Sequence, residues 1–171
     1  MPINCCASKH YLSAMKKIIF VVCVCAASVL MGCGGSQSIV RTNAPAPLLI
    51  KTAALSPMEG NSPEVDSYIL DALLAHGIST NPPLASGTRR AGDVDAIVTY
   101  LDVWRWDLAM YLKSISVSMY DPKTGSLLIT GKWTDSFFHG YHRGESVSKE
   151  LISEMLLQLG TKTEPFRKSE R

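Results

Sequence analysis

The chain has 171 residues, 46% of them hydrophobic and 19% charged, with a formal net charge of +2. This is long enough for one domain with a sizeable core and too apolar for a disordered chain. The small positive excess is no signature of a nucleic-acid partner.

In chain order, Met15-Lys16-Lys17 opens an apolar run from Ile18 to Leu30, which ends in Leu30-Met31-Gly32-Cys33. The run falls short of the roughly 20 residues that a spanning helix needs, and the lysines hold its start on the cytoplasmic side. It reads as a removable address, the other readings being an uncleaved signal anchor or a chance apolar helix that ends in Cys. Met15 makes a better start than Met1, because residues 1–14 add nothing to the lysine pair. The pattern resembles a bacterial lipoprotein signal peptide with its lipobox. Met31 departs from the small or β-branched residue usual at its place. The resemblance implies that residues 1–32 are removed, that a diacylglycerol is carried on the sulfur of Cys33, and that its amine is often acylated too. Gly34, and not Asp, follows the cysteine. In lipoproteins of Gram-negative cells an aspartate there favours the inner membrane, so the resemblance implies, for such a host, a periplasm-facing domain on the outer membrane.

Cysteine and charge divide at the same point. Cys5, Cys6, Cys23 and Cys25 lie in the expected leader, and only Cys33 remains. The mature chain is then expected to hold no disulfide, thiol nucleophile or thiolate metal site. Lys9, Lys16 and Lys17 go with the leader, leaving 14 basic against 15 acidic residues, a net −1.

Residues 33–47 are rich in Gly, Ser, Thr, Asn, Ala and Pro, with Ile39 and Val40 the only bulky apolar pair, and are expected as a tether. A folded domain is expected over 48–160 and a charged, frayed tail over 161–171. Leu48 to Ala53 reads as a first strand. Ser62-Pro63-Glu64 supplies an N-cap, a proline at the first helical position and an acid in the first turn. Val65, Ile69, Ala72, Leu73 and His76 follow at helical spacing, which predicts a helix over Pro63 to His76 that Gly77 stops. Ile78 to Asn81 is a brief strand candidate, and Leu84 to Gly92 a polar loop. Two long strands are predicted between Asp95 and Tyr120 from the alternation of residues 97–104 and 111–120. The corner at Trp106 to Ala109 lacks Gly and Pro, so a bulge or an unbroken bent strand competes with a turn there. Asp121-Pro122-Lys123-Thr124-Gly125 is a turn that leads into a strand over Ser126 to Phe137. A second helix is predicted over Ser146 to Leu159, ended by Gly160.

These elements predict a single α+β domain: an antiparallel-rich sheet of four to five strands with two helices packed on one face. The element order is similar to that of small periplasmic lipoproteins, including uncharacterised lipoprotein families and the penicillin-binding-protein activator and curli-secretion lipoproteins. No residue motif carries that similarity, and a fold-level analogy implies no function.

Candidate chemistry is sparse. Asp135, His139, His142 and Glu145 form the densest polar cluster and contain donors suited to zinc or a similar ion. Against that, their spacing on a glycine-containing loop fixes no common geometry, and Glu145 suits a helix N-terminus. His76 fits a helix C-terminus or partial burial better than catalysis. Asp93, Asp95, Asp102 and Asp107 contain no spacing that singles out an acid–base pair of the kind a cell-wall glycosidase needs. Ser114, Ser116 and Ser118 lie on one strand face, outside any nucleophile motif.

The feature above background is Trp104, Trp106 and Trp133, with Arg105 and Lys132 beside them and Tyr100, Tyr111, Phe137, Phe138 and Tyr141 nearby. Tryptophans on neighbouring strands usually pack a core. Left exposed, these residues would form a contact surface for protein or glycan. The expectation is a non-enzymatic lipoprotein domain with no cofactor, attached to the membrane through Cys33, which binds or scaffolds an envelope protein or cell-wall component. The alternative is an envelope hydrolase or metal-dependent enzyme using the acidic residues or the His139 cluster.

Overall fold

A computed structural model describes residues 35–42, 48–136 and 142–161. The lipobox, Cys33, His139 and the aromatic residues Phe137, Phe138 and Tyr141 lie outside the described residues. The elements in chain order are β1 (Ser36–Arg41), β2 (Thr52–Leu55), α1 (Pro63–Ala75), β3 (Ser79–Asn81), β4 (Ala96–Asp107), β5 (Ala109–Tyr120), β6 (Leu127–Thr134) and α2 (Gly144–Leu159). They build a single α+β domain around one mixed, six-stranded sheet in the order β1-β6-β5-β4-β2-β3.

The long alternating segments form the centre. β4, β5, β6 and β1 pair antiparallel in succession, while β2 runs parallel to both β4 and β3. Val98, Tyr100, Ile115, Val117, Met119, Ile129 and Trp133 point into one buried cluster with Val65, Ile69 and Leu73 of α1 and Leu151, Ile152 and Met155 of α2. The two helices therefore share one face of the sheet. At Gly131 the sheet backbone comes so close to α2 that an added Cβ would lie 2.7 Å from Met155 Sδ and 2.9 Å from Leu151 Cδ1. Among the described residues the other face is covered at one end, where Ala54, Val94 and Ile97 form a small cluster with Leu84, Ala91 and Tyr120.

Local chemistry sets the element ends. Ser62 caps α1 through its backbone, accepting the Val65 N–H at 3.0 Å, and its side chain makes no capping bond. Gly77 at φ 72° follows that helix, and Gly160 at φ 69° ends α2. Asp121 accepts the Lys123 N–H on Oδ1 and the Thr124 hydroxyl on Oδ2, both at 2.9 Å, while Gly125 takes φ 74°. This closes the predicted turn between β5 and β6. Those backbone and hydroxyl donors outweigh the desolvation of the Asp121 carboxyl and hold its pKa below the usual value.

Several boundaries differ from the sequence reading. α1 ends at Ala75 and not His76, β3 starts at Ser79 and not Ile78, and β6 spans Leu127–Thr134 within the expected Ser126 to Phe137. Other differences are larger. The segment expected as a tether, 33–47, contains β1, and this raises the strand count from the expected four or five to six. β1 carries a single half-buried apolar side chain, Ile39, which is enough for an edge strand but leaves no alternating signal. The first strand of the expected domain starts at Thr52 rather than Leu48, held by Asp95 Oδ2, which accepts Lys51 N, Thr52 N and Thr52 Oγ1 at 2.9 to 3.0 Å. Desolvation works to raise the Asp95 pKa, and these donors, with the Lys51 charge, bring it below the usual value instead. α2 begins at Gly144, two residues before the expected Ser146. The corner without Gly or Pro is a tight turn in which Asp107 faces Ala109 and Leu108 takes φ 54°, with a register shift at Val103/Trp104. Among the described residues no helix is long and apolar enough to cross a membrane.

Candidate functional site

The three tryptophans go to three different environments. Trp133 is buried, at 7% exposure; the backbone of Gly35 lies against its indole and the ring of His142 meets it edge-on, with centroids 5.6 Å apart. Trp104 is half-buried, donates from Nε1 to Asp102 Oδ2 at 2.6 Å, and reaches the start of α2 beside Tyr68 and Gly144. Trp106 is 72% exposed.

Trp106 belongs to a group that only the hairpin reveals. β2 pairs β4 no further than Val98, and β6 pairs β5 no further than Ser114. Among the described residues, the β4–β5 ribbon therefore continues beyond Val103 without a neighbouring strand on either side. Trp106 faces Met110 across this ribbon, and Leu108 forms its turn. Leu108 is 88% exposed and Met110 61%, with exposed Arg105 and Asp107 flanking Trp106 in the chain. Tyr111, opposite Arg105, is buried. Of the four residues in the expected contact surface, Trp106 and Arg105 are thus exposed, while Trp104 and Trp133 pack in or against the core. Leu108 and Met110 are absent from the sequence reading. The available signal was the corner itself, where a leucine occupies a turn that ordinarily takes Gly or Asn.

The other candidates are spread out or bonded into the fold. Asp135 is buried, donating its N–H to Lys113 O at 2.9 Å and accepting Lys113 Nζ on its own carbonyl at 3.2 Å. His142 turns toward Trp133, and Glu145 is exposed in the first turn of α2, where the helix dipole favours an acid. Among the described residues no three His, Cys, Asp or Glu side chains come together as metal ligands. Asp102 accepts the Ser62 N–H at 3.2 Å as well as the Trp104 indole. Asp95 clips β4 to β2, and Asp93 and Asp107 are exposed.

His76 lies in a cleft of about 760 Å³ lined also by Gln37, Lys149, Glu150, Ser153 and Leu157. Its Nε2 is 2.7 Å from Ser153 Oγ, whose own proton goes to Lys149 O at 2.7 Å. The imidazole must then donate to the serine, the reverse of what activates a nucleophile. Burial, and then the charge of Lys149, lower the His76 pKa. Ser118 shares a hydrogen bond with Thr130 at 2.9 Å. With Ser114, Ser116 and Lys132 it belongs to the sheet face opposite the two described helices, where Leu101 and Val103 are half-exposed.

No protein-family model matches the sequence, and no curated protein matches it. Solved structures do resemble it. The PelC dodecamer from Paraburkholderia phytofirmans is 17% identical, with a TM-score of 0.51, over 74% of this chain and 99% of that one. A point variant of the PelC dodecamer from the same organism is 16% identical, with a TM-score of 0.49, over the same shares of the two chains. A minor lipoprotein from Acinetobacter baumannii is 12% identical, with a TM-score of 0.33, over 66% of this chain and 92% of that one. At these identities the PelC likeness at 0.51 is one of fold: the chain has the architecture of a small α+β protein.

Proposed function

We propose that the chain is a lipid-anchored envelope module that binds or scaffolds another envelope component, attached through Cys33 and facing the periplasm from the outer membrane of a Gram-negative host. Leu30-Met31-Gly32-Cys33 supports the anchor and Gly34 the sorting. The observation that carries a binding role is the outer end of the β4–β5 hairpin. There Trp106, Leu108 and Met110 are 72%, 88% and 61% exposed, and Arg105 is exposed beside them. Three large apolar side chains held together in water on a paired ribbon are a contact surface in waiting.

A photoreactive amino acid at Leu108, installed in the full chain in living cells, tests this against the same group at exposed Glu150 on α2. An adduct with an envelope component is expected from position 108 and not from 150, and it is expected to weaken in Cys33→Ala. Metabolic labelling with palmitate is expected to mark the native chain and miss that variant. If position 108 yields no adduct with either protein or lipid, the hairpin end is not a contact surface.

A further inference from the structure

The register of the sheet places the hairpin end and the start of the described chain on the same side. Val103 faces Ser114, Ser114 faces Thr134, and Thr134 faces Ser36, so β1 begins level with Val103 on β4. From that level β4 continues to Asp107, four residues further, which projects the tip about 13 Å past the start of β1 at roughly 3.3 Å per residue. β1 runs away from this end, so the chain before it enters here. Cys33 precedes Ser36 by three residues, a reach of about 10 Å when extended. By chain length alone, a lipid on Cys33 would then be tethered within reach of the level of the apolar tip.

We propose that the occupant of the hairpin end is the bilayer surface itself: Trp106, Leu108 and Met110 enter the boundary between phospholipid headgroups and acyl chains, with Arg105 at phosphate level. This rests on the lipid-anchor reading and deepens it. Trp combines an apolar ring with an N–H donor and suits such a boundary, as an exposed Arg suits lipid phosphate. The size of the tip points the same way. Even a large aromatic side chain buries only on the order of 200 Å², so a tip of three side chains stays short of the roughly 800 Å² that each partner contributes to a stable protein interface. Insertion at a membrane surface needs no complementary partner area, only apolar side chains that reach it. Leu108 adds a further sign, since a non-glycine residue at φ 54° costs stability for the sake of an exposed apolar side chain. With the anchor already holding the chain, the second contact fixes its orientation.

The test uses the full chain, purified with its native modification, on vesicles of phosphatidylethanolamine and phosphatidylglycerol carrying acyl chains brominated near the headgroup. Mass analysis of the peptide that contains Cys33 reads the anchor separately. The buried Trp133 and half-buried Trp104 give a background, and bromolipid is expected to quench a further component of the emission that disappears in Trp106→Tyr. Shielding of Trp106 from aqueous iodide is expected to depend on vesicles and to fall several-fold in Leu108→Asp. The proposal is overturned if a chain shown to carry lipid on Cys33 has no bromolipid-quenched component. It is also overturned if Trp106 is shielded without vesicles in a concentration-dependent way, which would mean a second copy covers the tip, or if position 108 crosslinks to protein in place of lipid. A Cys33 without lipid defeats the anchor reading alone. The tip is then judged by co-sedimentation of that same chain with the vesicles: several-fold better recovery of native than of Leu108→Asp supports it, and equal recovery overturns it.

Discussion

At the residue scale, Tyr100 ties the helical layer to the sheet. Its hydroxyl donates to Asp66 Oδ1 at 2.8 Å and lies 3.2 Å from Ser62 O, while Asn61 Nδ2 donates to the Tyr100 carbonyl at 2.8 Å. Burial, followed by the hydrogen bond to Asp66 and the charges of Asp66 and Asp102, raises its pKa well above that of a free phenol. Because the folded value lies above the unfolded one, the stability it contributes is complete below about pH 10 and is lost as pH rises past that. Tyr100→Phe is expected to lower stability near neutral pH by about 1–2 kcal/mol, since two acceptors lose a buried donor. Urea titrations from about pH 8 to about pH 11 should show the native protein losing stability more steeply than the variant, and parallel curves would refute the assignment. Such residues are half legible in a sequence. The alternation places Tyr100 on the inner row with Val98, but its partner Asp66 is 34 positions away on a helix. Nothing in a single chain announces that pairing.

Among the elements, those with a strong repeat are the ones a sequence reveals. Both helices follow from apolar spacing and from Pro63 and Gly160, and the meander follows from alternation and the Asp121 turn. β1 does not, because an edge strand needs only one inward row and Ser36, Gln37 and Ser38 supply no alternation. The β4–β5 hairpin is legible as two strands and illegible as a tip. Propensity alone argues against a leucine at its turn, and the proposed membrane contact would supply a reason to keep one. The left-handed region costs a non-glycine residue roughly 1–2 kcal/mol, part of which glycine returns through a more flexible unfolded state. Leu108→Gly is therefore expected to leave thermal stability unchanged or raise it by up to about 1 kcal/mol, while weakening membrane contact. Calorimetry beside the quenching assay checks both halves, and a clear loss of stability would mean that Leu108 serves the fold.

For the whole molecule, the helices cover one face of the sheet and the ends of the order are β1 and β3. The α+β class and the helical layer are readable from the element order. The parallel placement of β2 between β3 and β4 is not, because it depends on α1 crossing one face and the segment after Asn81 returning across the other. The candidate site is less legible still, since it is the uncovered remainder left after the six strands pair. Removing residues up to Thr42 from the chain is expected to free the edge of β6 and uncover Trp133, which Gly35 now shields. Lower stability with a concentration-dependent tendency to associate is the expected result, read by thermal melts and size-exclusion chromatography; an unchanged melt would show β1 to be dispensable. The same pairing sets an order of events in folding. β1 is the first described strand to leave the ribosome, yet its partners extend from Ile129 to Thr134, so it must wait for the last strand. The meander of β4, β5 and β6 closes through short loops, whereas β1 joins across nearly a hundred residues and bears the larger closure entropy. The six residues of β1 are therefore expected to act as a latch, so that removing them speeds unfolding and leaves the folding rate nearly unchanged in stopped-flow measurements.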